Sequence, residues 1–169
     1  MNREDRPLRQ PHGQRPITDS RQRPLFDVRQ FRPHPYEPTS FFGVLERFGE
    51  LLIRRDDFPT PADTGTAAWC HVLLSKLVLI QRHHGWTDRE TVERATNDLR
   101  VKACLGLGVE QKGPSQPKLS VHRARMKELG LLDAYERRFV ALVKLLGLLD
   151  DNEPLLIDSV PVRGAGQVL

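Results

Sequence analysis

The chain has 169 residues, of which 38% are hydrophobic, and its formal net charge is +4. This length holds one domain of ordinary size with flanking segments and excludes a large enzyme, while the positive charge favours an acidic partner such as nucleic acid. Cys70 and Cys104 lack CxxC spacing and no apolar stretch is long enough to cross a bilayer, which argues against a disulfide scaffold, a zinc ribbon and a membrane protein and favours a cytoplasmic protein with reduced cysteines.

The first segment, residues 1–38, is rich in proline and arginine. It holds seven of the 13 prolines, and its eight arginines against five acidic residues give it +3 of the total charge of +4. It has too few apolar residues to offset the entropy lost on ordering, so we predict a disordered basic arm. Such an arm can track a phosphate backbone or act only as a solubilising extension.

Two apolar helices are predicted next. Large apolar side chains recur at helical spacing from Phe41 to Leu52, which predicts a first helix beginning at Ser40. After a loop with two prolines, a second helix is predicted to begin at Thr64 or Thr66 and to end at Gly85. Because its residues are nearly all apolar up to Ile80, we expect most of this helix to be core.

The third helix carries a strong start signal. Thr87 is followed three residues later by Glu90, and this capping box lets each side chain satisfy a free backbone N–H at the helix start. Val92, Ala95 and Leu99 then form one apolar face, with charged residues on the other. The helix either continues or breaks toward Cys104, before two glycines end the pattern.

Two more helices complete the helical region. A basic helix is predicted from Pro117, a residue favoured in the first turn, to Leu129, just before Gly130. The next helix is predicted from Asp133 to about Leu148. Its expected core stripe consists of Tyr135, Phe139, Leu142, Val143 and Leu146.

The basic helix is the candidate site for DNA binding. Its cationic and imidazole side chains are Lys118, His122, Arg123, Arg125 and Lys127. Lys118, His122 and Arg125 are three or four residues apart and are predicted to share one face. Together with the capped helix at Thr87, this pattern is typical of a helix-turn-helix reader whose second helix enters a major groove. The intervening loop is longer than the usual three or four residues, and a merely solvated basic face is the alternative.

A short apolar strand is predicted near the end of the chain, after the acidic boundary loop 150–154. It delivers the carboxylate of Asp158 into a Ser/Pro/Gly turn. A rigid strand can fix such a hard oxygen ligand where Mg²⁺ binds, so Asp158 is a candidate metal ligand and catalytic residue. The alternative is that Asp158 only ends a strand, as turn-forming residues commonly do.

Three segments in the same order resemble the N-terminal region of bacterial insertion-sequence transposases of the DDE type. They are HVLLSKLVLIQRHHGWTDRETVERATNDLRVKACLGLG, GPSQPKLSVHRARM and LLIDSVPVRGAG. The first contains the family's acidic helix start, here Thr87 to Glu90, and its Leu-Gly element. The second matches the family's Ser-x-x-x-Leu-Ser-x-x-Arg helix, here from Ser115 to Arg123. The third places Asp158 where that family has its first catalytic Asp.

The resemblance implies a mainly α fold with two parts. Residues 39–149 would form a small helix-turn-helix-like bundle that binds the terminal repeats of a transposon. Residues 150–169 would form the incomplete first strand of an RNase H-like α/β core, in which Asp158 helps to hold Mg²⁺ while a phosphodiester is attacked.

The family's second catalytic Asp and its Glu have no counterpart after Asp158. We therefore expect the chain alone to be catalytically incomplete, as a truncated copy, a remnant, or the first of two frames joined by frameshifting. A stand-alone repressor that binds the element's ends is the alternative, and homo-oligomerisation would favour it. A helical interaction module without nucleic acid is a third reading, since residues 39–169 carry only +1 of the charge.

Overall fold

Helices make up the regular structure of residues 24, 26–58 and 69–149, the part of the chain that the computed structural model describes. The expected mainly α fold is confirmed for this part, whereas the predicted strand at Asp158 lies outside it, as do residues 1–23 and 150–169. No helix in these ranges has the length and apolar character needed to span a bilayer. The helices are α1 (Val28–Phe31), α2 (Phe41–Leu52), α3 (His71–His84), α4 (Asp88–Asn97), α5 (Leu99–Leu105), α6 (Gln116–Glu128) and α7 (Leu131–Leu145), with a 3-10 turn at Arg55–Asp57.

The first two predicted helices are present, but the second begins later than expected. Ser40 caps α2 as predicted, and its side chain accepts a hydrogen bond from the backbone N–H of Gly43. The predicted start of α3 at Thr64 or Thr66 is wrong, because Trp69 is not helical and Cys70, the N-cap, has a ψ of 127°. The end is as predicted, with Gly85 in the left-handed region at φ 65°.

The capping box that starts α4 is confirmed in both directions. The backbone N–H of Glu90 donates to Thr87 Oγ1 over 3.3 Å, and the N–H of Thr87 donates to Glu90 Oε2 over 2.8 Å. The helix then breaks rather than continues, because Asp98 is extended at φ −87° and ψ 117°. Asp98 also starts α5, since its carboxylate accepts a hydrogen bond from the N–H of Arg100. Of the two alternatives that the sequence left open, the structure has the break, with Asp98 between the two helices.

Helix α3 is the centre of the core, as predicted. Every residue from Val72 to Gln81 is buried, and α2, α4, α5 and α6 pack around it. Cys70 and Cys104 are free and buried. In α7, Tyr135 is fully buried, but the prediction that Leu146 belongs to the core stripe is wrong, because α7 ends at Leu145 and Leu146 is 40% exposed.

The folded region begins before residue 39. Val28 is fully buried, and Asp27 forms an isolated antiparallel bridge with Gly108. The hydroxyl of Tyr36 donates to Glu46 Oε2 over 2.7 Å. Residues 26–38, which are predicted to be part of the disordered arm, therefore pack on the bundle through Val28, Pro35 and Tyr36 together with these polar contacts.

Candidate nucleic-acid interface

Helix α6 carries all five side chains predicted to bind DNA. It begins after the N-cap Ser115, has Pro117 in its first turn and ends at Glu128, close to the predicted bounds. It packs against α3, α4 and α7. These contacts divide the helix into a side fixed in the bundle and a side that faces solvent.

The buried side of α6 includes His122, which the sequence placed on an exposed face. Nε2 of His122 lies 3.0 Å from Ser75 Oγ, within hydrogen-bond distance. Its ring stacks on Phe58 at 5.0 Å and lies 5.7 Å from the ring of His71. Burial, followed by the nearby charges of His71 and Arg125, lowers the pKa of His122 to about 3. The prediction that Lys118, His122 and Arg125 share an exposed face is therefore wrong at His122, which is a neutral core residue.

Arg123 is held by a polar cluster on two other helices. Its guanidinium forms an ion pair with Asp88 of α4, with Nη2 2.9 Å from Oδ2, and donates to Gln81 Oε1 of α3 over 3.0 Å. Gln81 Nε2 in turn donates to Asp88 Oδ1 over 2.6 Å. The hydrogen bond from Arg123 holds the pKa of Asp88 below its ordinary value. Arg123 therefore fixes the orientation of α6, and its charge is already paired.

The other three predicted cations remain on the solvent side of α6. Lys118 and Lys127 are exposed and Arg125 is half-buried. None of the three takes part in the ion pairs formed among the described residues. Their charges are thus available to an anionic partner, and they form the candidate interface.

The loop that precedes α6 is fixed by a buried amine. Lys102 is 3% exposed, and its Nζ donates to the carbonyl oxygens of Gly108 over 3.2 Å, Val109 over 2.7 Å and Gln111. Three acceptors compensate the ammonium for the water it loses on burial. The connection from Gly106 to Ser115 is longer than the turn of a strict helix-turn-helix, and the three bonds of Lys102 tie its backbone to α5.

The exposed side of α6 also includes a residue that the sequence analysis did not single out. Val121 is 70% exposed, although it lies in the middle of the helix. Its position could have been found by following the apolar stripe, because Leu119, His122 and Met126 are spaced three and four residues apart and leave Val121 on the opposite side. The positions of the charged residues on α6 do not by themselves distinguish its buried side from its exposed side.

Asp158, the predicted Mg²⁺ ligand, lies outside the described residues. Within those residues, no group of three or more His, Cys, Asp or Glu side chains is placed to hold a metal ion. The metal site predicted at Asp158 therefore stays a prediction.

The fold and the basic helix belong to a region with a known family signature. A family model described as a transposase domain, DUF772, matches residues 29–125. The match runs from α1 to Arg125 in α6. It therefore includes the capping box, the contacts of Arg123 with Asp88 and Gln81, and most of the candidate interface. No curated protein and no solved structure matches the chain. Because the matched region is more than half of the 169 residues, the chain belongs to the DUF772 family of transposase domains.

Proposed function

We propose that the helical region binds the ends of a transposable element of the insertion-sequence type during DNA transposition, through the exposed cations of α6. The observation that carries this proposal is the division of α6. One side is fixed in the core of a transposase-family domain, while the exposed Lys118 and Lys127 and the half-buried Arg125 have no ion-pair partner among the described residues. A helix fixed in this way presents its charges on a rigid surface.

The chemistry of these three side chains suits a phosphate backbone. Lysine and arginine neutralise phosphates and release condensed counterions, so each contact adds affinity that falls as salt rises. Contacts of this kind place a protein on the duplex without reading its sequence. We therefore propose that Lys118, Arg125 and Lys127 position the protein on DNA, and that His122 and Arg123 serve to stabilise the fold.

Salt titration of DNA binding tests this assignment. The affinity of the full chain for duplex DNA is measured by fluorescence anisotropy over a range of salt concentrations, for the wild type, Lys118→Gln and Lys127→Gln. We expect the slope of log affinity against log salt to become shallower by about 0.9 for each substitution, because each removes one phosphate contact. Arg137→Gln is the matched control, since Arg137 is exposed on α7 and should leave the slope unchanged.

Two results would contradict the proposal. A wild-type chain that does not bind duplex DNA at low salt would favour a helical interaction module without nucleic acid. Slopes that are the same in the Lys118, Lys127 and Arg137 variants would mean that DNA lies elsewhere on the surface. Arg123 is left out of the test, because removing its guanidinium would disturb the contact of α6 with α3 and α4.

The catalytic part of the proposal rests on the resemblance alone. We propose that Asp158 is the first of the carboxylates that hold Mg²⁺ in a DDE-type core, where the metal would polarise the phosphodiester and activate the attacking oxygen. The second and third carboxylates of such a core would have to come from outside residues 158–169, which contain no further Asp or Glu.

A further inference from the structure

The exposed side of α6 has an unusual composition for a solvated helix face. Its middle is formed by Ser120, Val121 and Ala124, all of them exposed, and Val121 is 70% exposed. Solvated helix faces ordinarily carry long charged or polar side chains. Three short side chains here leave the backbone open to close approach by another molecule.

The cations lie on both edges of this short-chain strip. At about 100° per residue, Ser120, Ala124 and Val121 fall within an arc of roughly 100°, which also contains the exposed Pro117 in the first turn and the exposed Glu128 at the last residue of α6. Lys127 lies beside Ser120 at one edge of the arc, while Arg125 and Lys118 lie beyond Val121 at the other. The N-terminal and middle turns of this surface therefore have positive charge on two sides and small, partly apolar side chains between them, and the carboxylate of Glu128 lies at the C-terminal end of the strip.

This arrangement matches the major groove of duplex DNA. The groove admits one α-helix, has a phosphate backbone on each side and presents base edges on its floor. Among those edges the thymine 5-methyl group is the apolar one, and an aliphatic side chain is its usual contact. Gln116 lies one turn before Ser120 on the same side of α6 and is exposed, so an amide stands at the helix start, where hydrogen bonding to an adenine edge is possible.

We infer that the strip formed by Gln116, Ser120, Val121 and Ala124 reads base edges in the major groove, with Val121 in contact with a thymine methyl group. This inference rests on the proposed function, because it requires that α6 binds DNA. It extends that function from charge to sequence preference. Lys118, Arg125 and Lys127 hold the helix on the backbones, and Val121 distinguishes one base from its analogue without the methyl group.

Uracil substitution tests the contact directly. Duplexes bound by the full-length chain are selected from a randomised library, and each thymine of the selected site is then replaced in turn by uracil, which lacks the 5-methyl group. We expect one thymine position at which the wild type loses about fourfold in affinity, the factor for burying one methyl-sized group. We expect Val121→Ala to bind the two duplexes with equal affinity.

The control is Leu145→Ala, which also shortens a highly exposed aliphatic side chain, here 84% exposed on α7. It should keep the wild-type response to uracil. Circular dichroism at matched temperatures shows whether both variants are folded, and we expect both to be, since neither side chain is buried. Lys127→Gln provides the second comparison, because it should weaken binding to the thymine and uracil duplexes by the same factor.

The outcomes separate the two proposals. A chain that binds DNA but shows no uracil-sensitive thymine, or whose sensitivity is unchanged in Val121→Ala, overturns the base-reading inference and leaves DNA binding in place. A folded chain that selects no duplex at all overturns both. The inference is supported if Val121→Ala loses the fourfold difference between the thymine and uracil duplexes while Leu145→Ala and Lys127→Gln keep it.

Discussion

We expect the buried neutral imidazole of His122 to make the stability of this domain depend on pH. His122 is buried beside Ser75 and Phe58, and its charged or titratable neighbours are His71 on α3 and the cationic Arg125 on its own helix. Its pKa is about 3 in the folded chain, against an ordinary value of 6.5. Between these two values the unfolded chain binds a proton that the folded chain does not. The contribution of the neutral His122 to the free energy of unfolding is therefore fully present above about pH 6.5 and is lost progressively as the pH drops toward 3.

The size of this effect follows from the two pKa values. At about pH 5, His122 alone should lower the free energy of unfolding by about 2 kcal/mol relative to neutral pH. Burial also lowers the pKa of His71, so its titration acts in the same direction. The measurement is urea unfolding followed by helical circular dichroism at about pH 7.5 and about pH 5.

The variant His122→Gln isolates the contribution of this one side chain. Glutamine can keep a hydrogen bond to Ser75 but does not titrate, so we expect the variant to lose about 2 kcal/mol less than the wild type between the two pH values. His34→Gln is the control, because it replaces an exposed imidazole and leaves His122 and its contacts in place. If His122→Gln and the wild type lose the same stability on acidification, the assignment of His122 as a neutral core residue is wrong.

Three further substitutions test the contacts that position α6 and the helices around it, each by the urea midpoint at neutral pH. Asp88→Ala should lower the free energy of unfolding by about 1 kcal/mol, a modest loss because Asp88 and Arg123 are both partly exposed. An unchanged midpoint would mean that the ion pair between Asp88 and Arg123 does not stabilise the position of α6. Thr87→Ala removes one half of the capping box and should also cost about 1 kcal/mol, whereas Thr87→Ser should retain wild-type stability. Gly43→Ala would place a Cβ 2.4 Å from the carbonyl oxygen of Pro38, so we expect a loss of about 2 kcal/mol or more, and a neutral effect would show that α2 shifts freely.

Local signals in the sequence predicted the helix ends well. The Thr87 and Glu90 pair encodes the start of α4, and Gly85 and Gly130 mark helix ends where the structure has φ of 65° and 64°. These signals work because the hydrogen bonds and the left-handed backbone conformation involve residues within one turn of each other. The break at Asp98 also has a local cause, since the carboxylate of Asp98 caps α5. An aspartate within a helical pattern is not enough, however, to predict that the helix breaks there.

The candidate interface was less predictable, because its exposed side depends on distant partners. His122 is buried beside Ser75, a residue 47 positions earlier whose hydroxyl lies within hydrogen-bond distance of Nε2, and this burial lowers the pKa of His122 and keeps it neutral. Arg123 is paired since Asp88 and Gln81 come from two other helices. A count of charges on α6 cannot identify these partners, whereas the apolar stripe at Leu119 and Met126 would have indicated which side packs inward.

The amine of Lys102 has a consequence for the rate at which DNA would be captured. Its bonds to three carbonyl groups tie the loop before α6 to α5, so we expect α6 to keep its direction when it binds a duplex as proposed. A partner that needs no prior rearrangement associates at a rate set by diffusion and electrostatic steering, and the lifetime of the complex then decides its affinity. If α6 binds transposon ends as proposed, differences in affinity between those ends should accordingly appear in the dissociation rate rather than in the association rate.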